Sequence, residues 1–148
     1  MLEGVTITPR RRVGDARGMV MHMLRWDDPV FAGFGEIYFS TVVPGAAKGW
    51  NRHRRMTLNY AVPQGRILLV LYDERSGSAT AGRVQEIPLG GDDYNLVTIP
   101  PMLWTGFTCL DGQPALVANC TTLPHDPDEV ERRVLDDPSI PYRWNTAA

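Results

Sequence analysis

The sequence contains few of the residues that build disulfide frameworks and metal sites. Only two cysteines and three histidines occur in 148 residues. Cys109 and Cys120 do not form a C-x-x-C pair, so neither a thiolate zinc site nor a disulfide scaffold is expected. We expect both side chains to be buried as small apolar groups, and we predict no metal.

Long apolar segments and an excess of positive charge are also missing. No apolar run approaches the roughly 20 residues needed to cross a bilayer, and the first residues, MLEGVTITPRRR, have no apolar leader. The net charge is −2, without the overall basic field that favours nucleic acid. The sequence therefore predicts a cytoplasmic protein with no membrane or nucleic-acid partner.

Long amphipathic helix patterns are rare, and short strand patterns separated by Gly and Pro are common. The strand-like runs are GVTITP, GMVMHMLR, GEIYFSTVV, TLNYAV, GRILLVLYDE, RVQEIPL, YNLVTIP, WTGFTCL and ALVANCTTL. Only DPDEVERRVLDD has a helical pattern, and Asp126 or Asp128 could cap a short turn there. The length of 148 residues suits one domain. We predict a single all-β domain over residues 1–148, a two-sheet sandwich or jelly roll with a short C-terminal helical turn.

The stretch KGWNRHRRMTLNY, residues 48–60, concentrates basic and polar side chains before a strand. Strand side chains alternate between faces, so an inward His53 would have Asn51, Arg55, Thr57 and Asn59 on its side unless a bulge intervenes. Such a polar row is costly to bury without a ligand or water, at about 1 to 3 kcal/mol for each unpaired group. The stretch predicts a wet pocket for a small anionic ligand, with a solvated charged surface as the alternative.

Several motifs, in order, resemble the cupin-type nucleotide-sugar epimerases, the family of dTDP-4-dehydrorhamnose 3,5-epimerase. GDARG is similar to the family's GDxRG turn, and KGWN to its RGLH strand. GRILLVLYDERSGSATAG is similar to the stretch that ends in D-x-R and S-P-T-x-G. IPPMLWTGF and IPYRW resemble the family's I-P-x-G-x-A-H-G-F and its closing I-x-W.

This resemblance implies a jelly-roll cupin barrel that forms a homodimer and binds a nucleoside-diphosphate sugar. The implied substrate carries a 4-keto-6-deoxy sugar, and the implied reaction needs no cofactor. A base removes the proton beside the ketone, an enolate forms, and an acid returns a proton to the other face. The resemblance also implies that Arg17, in GDARG, holds the diphosphate.

The sequence departs from the family at the catalytic positions. Asn51 stands where the family has its base, and Thr105 stands where it has a second histidine. The family's tyrosine acid aligns with Ala118. The carboxylate that orients the base lies beyond I-x-W in the family, and only four residues follow Trp144 here.

His53 is therefore the candidate base. It lies two residues after Asn51, about 7 Å further along the strand and on the same face. His22, Tyr60, Asp73 and Tyr72 are candidate acids or orienting groups. We predict catalytic roles for His53 and Asn51, and the predicted substrate-binding residues are Arg17, Lys48, Arg55, Asn59, Tyr60, Trp104, Thr105, Asn119 and His22.

Two alternatives remain open. Metal cupins use a His-x-His pair, a Glu and a later His, but Asn51, Thr57 and Thr105 stand near three of those places. The other alternative is a cupin that has lost or changed its chemistry. It would serve as a small-molecule binding protein, or as a dehydratase or cyclase on a related substrate.

Overall fold

The computed structural model describes residues 1–146, and almost all of its regular structure is β-strand. Two five-stranded sheets face each other, and every strand pairing within them is antiparallel. This architecture confirms the predicted all-β jelly-roll class. No helix among the described residues is long and apolar enough to cross a membrane.

The first sheet has the strand order β1-β9-β6-β11-β4. Its strands are β1 (Thr6–Pro9), β9 (Asn95–Ile99), β6 (Leu58–Gln64), β11 (Ala115–Thr121) and β4 (Glu36–Val42). Strand β4 lies at an edge and pairs only with β11. The tight connection from β6 to β7 passes through Gly65, at φ 76°, where a Cβ would lie 2.7 Å from the Ala115 Cα.

The second sheet has the strand order β12-β5-β10-β7-β8. Its strands are β12 (Val130–Arg132), β5 (Ala47–His53), β10 (Leu103–Cys109), β7 (Arg66–Asp73) and β8 (Val84–Gly90). A separate exposed hairpin is formed by β2 (Arg12–Asp15) and β3 (Gly18–Met21).

Strand β7 shows why both faces of the second sheet are apolar. Its residues Ile67, Leu69 and Leu71 pack in the core between the sheets. Val70 and Tyr72 point the other way, into a second cluster with Trp50, Trp104 and Ile140. Tyr142 and Trp144 pack against this second cluster, so residues 140–144 cover the outer face of the sheet. The IPYRW motif is therefore a packing element.

The predicted C-terminal helical turn is confirmed, although it is shorter than its sequence pattern. A single 3₁₀ turn spans Pro127–Glu129, and the Asp126 side chain caps it by accepting from the Asp128 N–H at 3.0 Å. The chain then enters β12, which pairs with β5 and so ends the helical pattern. Cys120 is buried as predicted, whereas Cys109 is only half-buried.

Candidate functional site

A cavity of about 220 Å³ opens between the two sheets. Five of the predicted site residues line it together: Lys48, Asn51, Tyr60, Thr105 and Asn119. The remaining lining residues are Tyr38, Ser40, Phe107 and Val117. The cavity is smaller than the roughly 300 to 1,000 Å³ of pockets for drug-sized ligands, so it suits a sugar ring better than a whole nucleotide sugar.

A β-bulge brings Lys48 and Asn51 to the same wall of this cavity. Asn51 pairs with Thr105 on β10, and Lys48 pairs with Phe107. Two residues of β5 therefore face the single residue Gly106, which is the arrangement that defines a bulge. Because of the extra residue, the side chains of Lys48 and Asn51 both face inward although the two residues are three positions apart.

Lys48 brings a cation into the cavity. Its Nζ donates to Ser40 Oγ at 2.6 Å and to the Thr41 carbonyl oxygen at 3.1 Å. Within residues 1–146, no carboxylate lies close enough to form an ion pair with it. The ammonium group is therefore held by neutral oxygens and keeps its charge available for an anionic or carbonyl oxygen of a ligand.

In the first sheet, which forms the opposite wall, two buried asparagines make hydrogen bonds that hold the strands in place. Asn119 Oδ1 accepts from the Asn59 N–H at 3.3 Å, and Asn119 Nδ2 donates to Tyr38 Oη at 2.9 Å. Asn59 uses its own amide within the sheet, donating to the Cys120 carbonyl oxygen and accepting from Thr98 Oγ1. Asn119 therefore faces the cavity, while Asn59 holds the strands together behind it.

His53 lies at the end of β5 and contacts a buried carboxylate. Its Nδ1 is 2.6 Å from Oε1 of Glu129, and the side chains of the two residues are 13% and 1% exposed. Oε2 of Glu129 accepts from the backbone N–H groups of Arg55 and Met56, both at 2.8 Å. Because an ionised carboxylate only accepts hydrogen bonds, Nδ1 of His53 carries a hydrogen toward Glu129, and in the neutral ring Nε2 is therefore the nitrogen without one.

The hydrogen bonds to Glu129 keep it ionised in spite of burial. Burial alone would raise its pKa. The donors at Arg55, His53 and Met56 outweigh that effect and hold the pKa of Glu129 below its ordinary value of 4.5. At neutral pH a negative charge therefore lies against Nδ1 of His53.

Strand β5 ends at His53, and residues 54–57 form a bend before β6. The predicted polar row therefore does not continue from Asn51 through Arg55 to Asn59. Alternation still gives His53 and Asn51 the same face of β5, although His53 itself is not among the lining residues of the cavity.

Four other predicted substrate-binding residues lie outside the cavity, as Asn59 does. Trp104 packs on the outer face, where Arg52 and Arg133 lie 4.7 and 4.2 Å from its ring centroid. Arg55 reaches Asp126 at the surface, and His22 is exposed next to the β2–β3 hairpin. Arg17 is 90% exposed at the hairpin tip, where it pairs with Asp15 at 2.7 Å. A substrate role for these residues stays a prediction.

The other candidates for an acid or orienting group have structural contacts. Asp73 is fully buried and accepts from Arg75, Ser78 and Thr80, which fixes the loop between β7 and β8. Burial raises the pKa of Asp73, but these hydrogen bonds have the larger effect and keep that pKa far below its ordinary value. Tyr72 packs in the outer cluster. Among the described residues, no group of three or more His, Cys, Asp or Glu side chains could hold a metal ion.

Comparison with known proteins agrees with this architecture. The family of dTDP-4-dehydrorhamnose 3,5-epimerase matches residues 1–148. The chain belongs to this family. It is accordingly an isomerase, a sugar-nucleotide epimerase.

Individual relatives cover most of the chain. A dTDP sugar isomerase from Desulfovibrio desulfuricans is 48% identical, with a TM-score of 0.95 over 99% of this chain and 94% of that one. A probable low-salt glycan biosynthesis epimerase of Haloferax volcanii is 35% identical over 88% of this chain and 86% of its own length. A Legionella pneumophila epimerase in complex with dTDP-4-keto-L-rhamnose has the same fold, with a TM-score of 0.83 at 22% identity over 97% and 79% of the two chains.

Sequence reasoning did not predict Glu129, or the four cavity-lining residues Tyr38, Ser40, Phe107 and Val117. In the sequence, Glu129 belongs to a segment with a helical pattern. Nothing in that pattern indicates a contact with His53, which lies 76 positions earlier. Tyr38 lies on GEIYFSTVV, where strict alternation on an edge strand could have marked it as facing the same way as Ser40.

Proposed function

We propose that this chain epimerises the 4-keto-6-deoxy sugar of a nucleoside-diphosphate sugar, with His53 as the base. The observation that carries the proposal is the contact of His53 with ionised Glu129 at the end of the strand that also carries Asn51 and Lys48. The position of the family's own base is occupied by Asn51, whose amide cannot take a proton at neutral pH. A histidine two residues along the same face takes over that role.

In this mechanism Glu129 fixes the tautomer and the base acts through Nε2. The proton beside the ketone moves to Nε2, and the positive charge that develops on the ring is stabilised by Glu129. The ketone oxygen becomes an enolate oxygen, which needs donors to stabilise its charge. Lys48 supplies the cation for it or for the diphosphate, and Asn51, Tyr60, Thr105 and Asn119 contact the sugar from the cavity walls.

The nucleotide lies outside the cavity in this proposal, since the cavity has room for little more than a sugar ring. Arg17 is the proposed diphosphate contact. Support comes from the family: the Legionella pneumophila epimerase is described in complex with dTDP-4-keto-L-rhamnose. No redox cofactor is needed, because the proton transfers leave the oxidation state of the sugar unchanged. Because such substrates are intermediates of cell metabolism, we propose a cytoplasmic location.

The second candidate is a cupin that binds a related sugar without epimerising it, or carries out a dehydration or cyclisation. The observation that favours it is the loss of the family's groups at Asn51, Thr105 and Ala118. The two candidates differ in one measurable event, because enolate formation must exchange the carbon-bound proton with solvent.

The deciding experiment is deuterium incorporation into a 4-keto-6-deoxy nucleotide sugar in heavy water, followed by NMR. The wild-type protein should incorporate deuterium, and His53→Ala should lose roughly 10² to 10⁴-fold in rate. His125→Ala is the matched control, since His125 lies in a surface loop and should leave the rate unchanged. If the wild-type protein exchanges no proton with any such sugar but binds it, the second candidate is correct.

We also propose a homodimer. Apolar side chains are exposed on the hairpin and on edge strand β4, among them Val13, Met19, Val20, Ile37 and Phe39. An edge strand with an apolar outer face is a ready site for pairing with a second copy. Phe39→Lys and Val20→Lys should give a monomer in size-exclusion chromatography with light scattering, whereas Val134→Lys, at an equally exposed position elsewhere, should not. A wild-type monomer at micromolar concentration would exclude the dimer.

A further inference from the structure

The cavity contains two tyrosines that flank Asn119 on neighbouring strands. Asn119 pairs with Tyr38 of β4 on one side and with Tyr60 of β6 on the other. The family's acid position on β11 is Ala118, which has no proton to give. Tyr38 and Tyr60 therefore bring phenol groups into the site from the strands on either side of β11, although Ala118 on β11 itself has none.

The hydrogen bonds of Asn119 determine which way the Tyr38 hydroxyl is used. The Asn59 N–H can only donate, so the atom of Asn119 that faces it is the carbonyl oxygen Oδ1. The amide nitrogen then faces Tyr38 and donates to Oη at 2.9 Å. Because Oη accepts this bond, the hydrogen of the Tyr38 hydroxyl remains free to donate to a molecule in the cavity.

The positions of Tyr38 and His53 suit an inversion. Tyr38, on β4 of the first sheet, and Asn51, on β5 of the second sheet, line the cavity from opposite sheets. His53 lies two residues after Asn51 on the same face of β5. A ring bound flat between the two sheets presents one face to each of them. Inverting a carbon requires removal of the proton from one face and its return to the other.

The environment of Tyr38 raises its pKa and so favours the protonated phenol. Burial raises its pKa, the N–H of Asn119 lowers it, and the charges of Glu36 and Glu129 raise it again. The net effect is a pKa above the ordinary value of 10.0, so the phenol is neutral at physiological pH. Tyr60 is more deeply buried and packs edge-to-face on Phe107, with ring centroids 6.1 Å apart.

We propose that Tyr38 is the proton donor of the epimerisation, an assignment that rests on the proposed function. His53 Nε2 takes the proton, the C–H bond breaks, and its electron pair forms the enolate double bond. The enolate carbon then takes the Tyr38 hydroxyl proton from the opposite face as the carbonyl re-forms. The resulting tyrosinate gains a proton from water and the imidazolium loses one to water, so the composition of the sugar is unchanged.

The test compares Tyr38→Phe with Tyr142→Phe in heavy water, with NMR reporting both deuterium incorporation and inversion. The wild-type protein should show both. Without the Tyr38 hydroxyl, the base can still remove and return a proton on its own face. Tyr38→Phe should therefore keep incorporating deuterium with retention of configuration, while inversion falls by roughly 10² to 10⁴-fold.

Tyr142→Phe should invert the sugar within about 10-fold of the wild-type rate, since Tyr142 packs on the outer face of the second sheet and its hydroxyl donates to Glu86 outside the cavity. Melting temperatures close to that of the wild type establish that both variants are folded. Inversion that persists in Tyr38→Phe, or that falls equally in Tyr142→Phe, overturns the assignment of Tyr38 but leaves the proposed function standing. A wild-type protein that incorporates no deuterium overturns the proposed function and this assignment with it.

Discussion

His53 Nδ1 lies 2.6 Å from Glu129 Oε1, although 76 positions separate the two residues in the chain. The pairing of β12 with β5 creates this contact, because Val130, the residue after Glu129, is the register partner of His53. The same carboxylate accepts from the N–H groups of Arg55 and Met56. Glu129 therefore orients the imidazole and shapes the bend that follows β5, so its replacement should affect both reaction and stability.

Glu129→Gln should lower the turnover number by roughly 10² to 10⁴-fold with little change in KM. The amide can present its NH₂ group to Nδ1 and so favour the wrong tautomer, in which Nε2 carries the hydrogen and cannot act as a base. Steady-state kinetics separate turnover from KM. Glu131→Gln is the matched control, since the half-buried Glu131 pairs with Arg52 and Arg54 instead of His53 and its replacement should leave turnover unchanged. Equal losses in both variants would mean that Glu129 has only a structural role.

The stability that Glu129 contributes should disappear in acid. Because its pKa is lowered by folding, the contribution is complete above the ordinary value of 4.5 and is lost as the pH falls through the folded pKa. At neutral pH the wild type should exceed Glu129→Gln by about 1 to 3 kcal/mol in the free energy of unfolding. Urea unfolding from pH 7 to pH 3 measures this difference, which should narrow below pH 4.5. A difference that stays constant down to pH 3 would contradict ionisation as its source.

The strands that could be predicted from the sequence are those with a hydrophobic pattern of their own, independent of distant contacts. Strand β7 combines β-branched and aliphatic residues on both faces, which suits a strand buried on both sides. The hairpin strand Arg12–Asp15 was missed because it is exposed and polar, so that no hydrophobic alternation marks it. DPDEVERRVLDD was predicted to be helical, but pairing with β5 makes Val130–Arg132 a strand, so tertiary contact overrides the local pattern.

The same distinction applies to the site. Asn51 and Thr105 could be expected to meet because two motif strands carry them, and they are register partners. The bulge at Gly49 and Trp50 could not be predicted, since it depends on the backbone of Gly106 opposite. The contact of Glu129 with His53 was also not predictable, because it exists only after β12 has paired.

Arg17→Ala should weaken nucleoside-diphosphate binding by at least about 10-fold, the usual effect of losing a charge-assisted hydrogen bond to phosphate. Asp15→Ala provides the comparison, because it breaks the same 2.7 Å ion pair while keeping the guanidinium. Isothermal titration calorimetry with a nucleoside diphosphate should show the loss in Arg17→Ala only. Equal affinities for both variants and the wild type would leave Arg17 with its turn-forming role.

Gly106→Ala should destabilise the protein by about 1 to 3 kcal/mol through overpacking. A Cβ at this position would lie 2.7 Å from Trp144 Cζ2 and 3.0 Å from the Lys48 carbonyl oxygen, on the face that residues 140–144 cover. Gly112→Ala is the control, since nothing lies within 4 Å of its Cβ position. Urea unfolding compares the two variants. A stable Gly106→Ala variant would show that Trp144 can move away without cost.

Asn51→His tests whether the family's own base position still works in this chain. Asn51 lines the cavity, so a histidine there could reach a bound sugar. It would lack a partner like Glu129, whose two oxygens are already used by His53, Arg55 and Met56. We therefore expect Asn51→His to change the rate of deuterium incorporation by less than about 10-fold, and to restore little of it in a His53→Ala background. Heavy-water exchange followed by NMR measures both variants. Full recovery in the double variant would mean that a histidine at position 51 acts as the base without contacting Glu129. The contact with Glu129 would then not determine which position carries the base.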